Sequence, residues 1–251
     1  MGTERIYGMH TVRALLTRSP QRILSVYLQQ GRSDRRASEI EAQARSAQRP
    51  VERVEAGRLR AWVGDVAHQG VVAEIEPLPP TSEREFLAQL AGEHNPLVLA
   101  LDGVQDPHNL GACLRTADAC GVTAVLVPRD RSAPLNATAR KVAAGAAETT
   151  PVVAVTNLAR TLKLIKEAGL WIVGTEALAA QRADQVDLTG GRCLVMGSEG
   201  SGLRELTRRS CDWLVSLPSL GHVESLNVSV ATGMMLYEAV RQREQPPQSD
   251  S

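Results

Sequence analysis

From Asn95 to Leu217 the chain alternates short, unbroken apolar runs with longer helical patterns, and few folds accommodate that rhythm. The runs are Leu97–Leu101, Ala124–Val127, Val152–Val155, Leu170–Thr175, Cys193–Met196 and Trp213–Leu217. Each has the length of a strand. None alternates polar with apolar, so the sheet they form is covered on both faces. Helical patterns separate most of them, at Leu110–Cys120, Asn136–Ala146, Leu158–Ala168 and Leu203–Ser210. Apolar strands alternating with helices predict an α/β fold built on a mostly parallel sheet. In such sheets ligands sit beyond the carboxyl ends of the strands, so function belongs to the loops that leave them.

The first part of the chain is a smaller alternating unit. Its pattern predicts helices at Met9–Leu16, Asp34–Ala47 and Glu55–Ala61, and strands at Ile23–Leu28, Val51–Val54 and Val71–Ile75. The stretch EPLPPTSE, with three prolines among polar residues, then reads as a linker. The expected organisation is a domain at 1–76, a linker at 77–95 carrying a short helix at Glu83–Ala91, a domain at 96–243, and a disordered polar tail at 244–251.

Composition narrows the class. With 43% apolar and 22% charged residues, the 251-residue chain can bury a sizeable core. No apolar run approaches the roughly 20 residues of a membrane span, and the opening MGTERIYGMH lacks the apolar core of a signal peptide. No membrane partner and a cytoplasmic location are therefore expected. Cys113, Cys120, Cys193 and Cys211 sit singly, without a CxxC pair or a histidine at ligand spacing, so buried thiols and no metal are expected. The net charge of zero makes no global case for nucleic acid. Arginine clusters do occur, at Arg32, Arg35 and Arg36, at Arg129 and Arg131, and at Arg204, Arg208 and Arg209. Each alone fits a solvated face.

Three loops that leave strands carry the candidate chemistry. After Leu101 comes DGVQDPHNLGACLRTADACG. There Asn109 opens a helix, Gly111 and Ala112 permit close approach to its first turn, and Arg115 can reach back toward a pocket mouth. Asn109 equally suits a plain helix cap. After Met196 comes GSEGSGLRELTRR, a glycine-rich turn before a helix. Helix N-termini bind anions, but the loop has neither GK[ST] nor GxGxxG, and Glu199 at its centre would repel a phosphate. A carboxylate among glycines better suits a hydroxyl, an amine or a cationic side chain. The third loop, LPSLGHVESLN, runs straight into a helix, Val228–Val240, with apolar residues on all sides; burial on most of its circumference is expected. Leu217 and Leu226 can supply backbone groups and apolar contacts to a flat ring, with Ser225 and Asn227 facing the same space.

NLGACLRTA, LVMGSEGSGL and LPSLGHVESLNVSVATGMMLYEA, in this order, resemble the three motifs of the SpoU/TrmH family of RNA ribose 2′-O-methyltransferases, within the SPOUT superfamily. The resemblance spans Pro107 to Glu238. RIYGMHTVRALL and the small unit after it resemble the L30e-like RNA-binding extension of 23S rRNA guanosine methyltransferases in that family. The resemblance implies a trefoil knot at the carboxyl end of the sheet and an L30e-like α/β domain before it. It implies S-adenosyl-L-methionine as cofactor, 23S rRNA as partner, and 2′-O-methylation of a guanosine ribose in the large-subunit P loop. By the same resemblance Asn109, Arg115, Glu199, Ser225 and Asn227 match the catalytic and RNA-contacting positions. Leu217, Leu226 and Gly197 match the cofactor positions, with Gly200 beside them and Thr175 as a further wall.

The implied reaction is an in-line displacement in which the ribose 2′-oxygen attacks a sulfonium methyl group. Arg115, Glu199 or an RNA phosphate receives the hydroxyl proton, and no metal is needed. The resemblance also implies a homodimer packed through the last helix, where Ser229, Ala231 and Gly233 permit close approach. A tRNA guanosine 2′-O-methyltransferase is the alternative within the family. A non-catalytic RNA-binding ribosome-assembly protein is the alternative outside it.

Overall fold

In the computed structural model, which describes residues 3–76, 81–221 and 225–245, all six apolar runs form strands. The chain divides into two compact units, Met1–Pro79 with Ala144–Thr149, and Pro80–Ala143 with Thr150–Ser251. The prolines at 77, 79 and 80 and the residues at 222–224 and 246–251 lie outside the described residues.

The first unit contains β1 (Glu4–Tyr7), α1 (Met9–Arg18), β2 (Ile23–Gln29), α2 (Arg35–Ser46), β3 (Val51–Val54), α3 (Ala56–Val63) and β4 (Val71–Ile75). Its sheet has the order β1-β4-β2-β3. β4 runs antiparallel to β1 and β2, and β2 runs parallel to β3. β1 was not expected, because four residues are too few to show a period. One face of the sheet buries Val26, Leu28, Ala73 and Ile75 against α1 and α2, through Val12, Leu15 and Ile40. On the other, Leu59 of α3 is buried with Val54 and Val72, beside half-buried Tyr7, Tyr27 and Trp62. Asp34 starts α2 by accepting from the Arg36 and Ala37 amides, which supplies two of the donors a helix start leaves open.

The second unit contains α4 (Glu83–Leu90), β5 (Leu97–Asp102), α5 (Pro107–Ala119), β6 (Ala124–Pro128), α6 (Ala137–Ala143), β7 (Val152–Val155), α7 (Leu158–Glu167), β8 (Trp171–Thr175), β9 (Gln181–Arg182), β10 (Arg192–Gly197), α8 (Glu205–Ser210), β11 (Trp213–Ser216) and α9 (Val228–Glu244). The strand order is β7-β6-β5-β10-β8-β11-β9, and every pairing is parallel. β5 shows why the sheet must be covered twice. Val98 and Ala100 join a core with Phe86 and Leu90 of α4 and Leu158, Leu162 and Ile165 of α7. Leu97, Leu99 and Leu101, on the opposite face, are as fully buried.

Several expectations change in detail. Of the stretch read as a linker, Glu83–Leu90 is a core helix of the second unit, started by a capping box between Ser82 and Glu85. α6 ends at Ala143 instead of Ala146, because Ala144 (φ 53°) and Gly145 (φ 101°) leave the right-handed region. The final helix extends to Glu244, so that residue is helix and not tail. It is also not buried on most of its circumference. Val228, Thr232, Met235, Leu236 and Ala239 form one buried stripe at helical spacing, while Val230 is 52% and Tyr237 68% exposed.

Candidate functional site

Because the second sheet is wholly parallel, its strands deliver their last residues to a single edge. Asp102, Thr175, Gly197 and Ser216 end β5, β8, β10 and β11 there. α5 starts after β5 with Asp106 as its cap, accepting from the His108 amide at 2.9 Å, and Pro107 in the first turn. Asn109 is therefore not the cap, which removes the plainer of its two readings. Proline needs no amide partner at this position and leaves capping to the residue before it. The Asn109 side chain is left free for other work.

The loop after β10 folds back sharply. Ser198 and Gly202 exchange two backbone hydrogen bonds, at 3.1 and 3.0 Å. A Cβ on Gly197 would lie 2.3 Å from the Gly202 carbonyl carbon and 2.6 Å from the Leu203 nitrogen, so only glycine permits this closure. Gly200 and Gly202 have φ of 79° and 65°, the left-handed region that glycine enters without strain. Glu199 is carried at the exposed tip.

Asn227 starts α9 and uses both ends of its amide. Its Oδ1 accepts from the Ser229 amide at 2.9 Å and the Val230 amide at 3.4 Å, the N-cap pattern. Its Nδ2 donates to Glu199 Oε1 at 2.5 Å and to Asn109 Oδ1 at 3.0 Å. Asn109 Nδ2 donates to the same Glu199 oxygen at 3.2 Å, and the Val228 amide does so at 3.3 Å. One carboxylate oxygen thus takes three N–H groups at the positive end of a helix. The other, Oε2, has no hydrogen-bond partner among the described residues.

Three motifs separated by some 120 residues of chain therefore converge on Asn109, Glu199 and Asn227, with Gly197 and Gly200 on the loop that carries Glu199. Thr175 spends its hydroxyl on the Val195 carbonyl, 3.3 Å away, tying β8 to β10. Leu217 and Leu226 are half-buried, and Ser225 is exposed beside Leu226. Arg115 is not drawn into the cluster: it is exposed on α5 and makes no hydrogen bond or ion pair among the described residues. Gly111 does not open the helix to a ligand either. An added Cβ would lie 2.5 Å from the Ala139 carbonyl and 2.7 Å from Val142 Cβ, so this glycine lets α5 pack on α6.

Other features fall outside the cluster. Burial pushes the Cys113 thiol up to about 11, and it donates to Thr232 Oγ1 at 3.4 Å, a packing role between α5 and α9. A cleft of about 640 Å³ lies at the opposite, amino edge of the sheet, lined by Asn95, Asp184, Asp187, Gly190, Arg241 and Arg243. None of the residues singled out from the sequence lines it. Among the described residues no three histidine, cysteine or acidic side chains group as a metal site, and no helix is long and apolar enough to cross a membrane.

The family model of the SpoU rRNA methylase family matches residues 96–237, more than half of the chain. The chain belongs to the SpoU rRNA methylase family. A second model, RNA 2′-O ribose methyltransferase substrate binding, matches residues 5–81. Among relatives of this SpoU chain is the 23S rRNA (guanosine-2′-O-)-methyltransferase RlmB of Pseudomonas putida, 54% identical, covering 96% of this chain and 97% of that protein. RlmB of Yersinia pestis is 52% identical and covers 96% and 98%. The fold is shared with the SpoU methyltransferase AviRb from Streptomyces viridochromogenes, whose structure with the cofactor AdoMet has a TM-score of 0.76 at 23% identity, covering 96% of this chain and 90% of that one. The A. aeolicus TrmH/SpoU tRNA modifying enzyme is 31% identical with a TM-score of 0.55, over 64% of this chain and 84% of that chain.

Proposed function

We propose that this SpoU protein transfers a methyl group from S-adenosylmethionine to the ribose 2′-oxygen of a guanosine in 23S rRNA, within the large-subunit P loop. The carrying observation is the Asn109–Glu199–Asn227 cluster at the carboxyl edge of the sheet, in a chain 54% identical, end to end, to an RlmB. The substrate-binding match at residues 5–81 favours ribosomal RNA over tRNA, since the tRNA-modifying structure covers only 64% of this chain.

The edge fits the cofactor. It offers half-buried leucines at 217 and 226, backbone groups of Gly197 and Gly200, and no lysine or phosphate-binding glycine pattern. A Cβ at Gly200 would meet nothing within 4 Å, so that loop has open space beside it. When bound, S-adenosylmethionine supplies a methyl group on a sulfonium sulfur, an electrophile for an oxygen nucleophile. The protein's part is positioning and proton handling. Fixing a hydroxyl in line with its target is worth roughly 7–11 kcal/mol of barrier. Glu199 Oε2 accepts the hydrogen of the ribose hydroxyl and takes the proton as the carbon–oxygen bond forms, while Asn109 and Asn227 hold the carboxylate still. Arg115, exposed and without a hydrogen bond or ion pair among the described residues, serves the RNA phosphates or the developing oxyanion, and Ser225 contacts the ribose.

The knot and the L30e-like character of the first unit belong to this reading. The insertion of β10 between β5 and β8, both earlier in the chain, supports the knot. A homodimer through α9 belongs to it as well, supported by the uncovered Val230 and Tyr237. So does a cytoplasmic location, where ribosomal RNA is modified. Labelled methyl transfer to 23S rRNA and tRNA transcripts tests the activity. Incorporation into 23S rRNA supports it, whereas transfer to tRNA alone, or to neither, contradicts it. Sedimentation of Tyr237→Arg tests the dimer. Dissociation is expected, and an unchanged coefficient would count against α9 as the interface.

A further inference from the structure

Asp102 ends β5 with its carboxylate wholly shielded from solvent. A buried carboxylate persists only when paired and hydrogen-bonded. Its partner comes from one residue far along the chain. The Arg204 backbone amide donates to Oδ2 at 2.9 Å, and its guanidinium Nε donates to Oδ1 at 2.6 Å, with Nη2 on the same oxygen. Arg204 is the second residue after the glycine loop that carries Glu199, and Leu203 between them packs against the core. The loop is thus fastened at both ends, by Gly197 in β10 and by Arg204 on Asp102. The Ser198–Gly202 pair closes its neck. Glu199 itself is exposed at the tip, above the Ser198 and Ser201 hydroxyls, which are hydrogen-bonded at 2.6 Å.

We propose that Asp102 and Arg204 are positioning residues for methyl transfer. Their ion pair sets the exit of the loop, and so the point at which the Glu199 carboxylate meets the amides of Asn109 and Asn227. Neither side chain needs to touch the RNA or the cofactor. The inference rests on Glu199 belonging to the reacting site, and a Glu199→Ala control separates the two. If Glu199→Ala retains full activity, the site reading fails whatever the clasp does.

The experiment compares full-length wild type, Arg204→Ala, Arg204→Lys and Asp102→Asn in steady-state methyl transfer to a 23S rRNA transcript, varying RNA and cofactor separately and recording thermal melting. Displacing a reacting group by about 1 Å costs on the order of 100-fold, so Arg204→Ala and Asp102→Asn should lower kcat about 10- to 100-fold at unchanged KM for both substrates. Arg204→Lys, which keeps one donor on Asp102, should recover much of the loss. Asp102→Asn keeps the shape of the buried side chain, so it carries the test if Arg204→Ala fails to fold. Three results would overturn the proposal. The first is a lower melting temperature with kcat of the folded protein unchanged. The second is a raised KM for RNA with a shallower salt dependence, which would make Arg204 a phosphate contact. The third is a lysine variant no better than alanine.

Discussion

Replacing Asn227 with aspartate separates the two tasks its amide performs. Aspartate caps a helix as well as asparagine does, and its charge suits the helix start, so the cap on the Ser229 and Val230 amides survives. What changes is the other end. The donor to Asn109 Oδ1 is lost, about 0.5–1.5 kcal/mol, and so is the donor to the charged Glu199 Oε1, about 1.5–3 kcal/mol. A second carboxylate also now faces the first. At about 4 Å this repulsion is about 1 kcal/mol in water and about 4 kcal/mol near a protein surface, and the exposure of both residues favours the lower figure. The total opposing the observed arrangement is about 3–5 kcal/mol, which at about 1.4 kcal/mol per decade slows methyl transfer by roughly 100-fold or more. Thermal melting should scarcely move. A rate within about threefold of wild type at normal stability, against the roughly 100-fold loss derived from the lost donors, would refute the cluster as the reacting site. A large fall in melting temperature that accounts for the lost activity would show that the donors to Asn109 and Glu199 hold the fold and not the reaction.

Gly111→Ala should destabilise the second unit by about 1–3 kcal/mol through overpacking, since the new methyl meets the backbone of α6; a melting temperature at or above wild type would contradict this. Burial holds the Cys113 thiol up to about 11 and the Cys211 thiol up to about 12, and pushes Cys193 higher still. At pH 8 the native protein should therefore resist iodoacetamide at these three and react, if anywhere, at half-buried Cys120, whereas all four free thiols label in denaturant. Rapid native labelling of Cys193 would contradict that packing. His68 is buried and its Nδ1 accepts from the Gly70 amide; burial, then the charges of Arg60 and Arg32, hold its folded value below the ordinary one. Its stabilising contribution is thus present above about pH 6.5 and lost as pH falls through the depressed folded value. Urea unfolding at decreasing pH should show the first unit weakening, a slope that His68→Asn flattens; equal slopes in both proteins would exclude His68 as the source.

The apolar strands of the second unit were legible because each is a run short enough for a strand and bounded by polar turns, whereas β9, two exposed polar residues, carries no such signal. The cluster was legible as three motifs, but its wiring was not. Nothing in the sequence says that Asn109 leaves capping to Asp106, or that one Glu199 oxygen collects three N–H groups. Gly111 shows the difficulty, since a glycine in a helix's first turn suits a ligand or a neighbouring helix equally, and only the position of Ala139 decides. The Asp102–Arg204 pair was missed because a single aspartate at a strand end carries no pattern, and its partner lies beyond five intervening strands. α9 misled for a physical reason. Its composition is apolar all round, but one chain buries only the stripe through Thr232 and Met235 and leaves Tyr237 in water.

Mapping the product decides whether this chain methylates a guanosine ribose of 23S rRNA through the Glu199 cluster. 23S rRNA incubated with wild-type protein and methyl-labelled S-adenosylmethionine would be digested to nucleosides and fragments and read by mass spectrometry. A single 2′-O-methylguanosine in the P loop, absent with Glu199→Ala, is the predicted result. Label on a base, on another nucleoside, or undiminished with Glu199→Ala would contradict it.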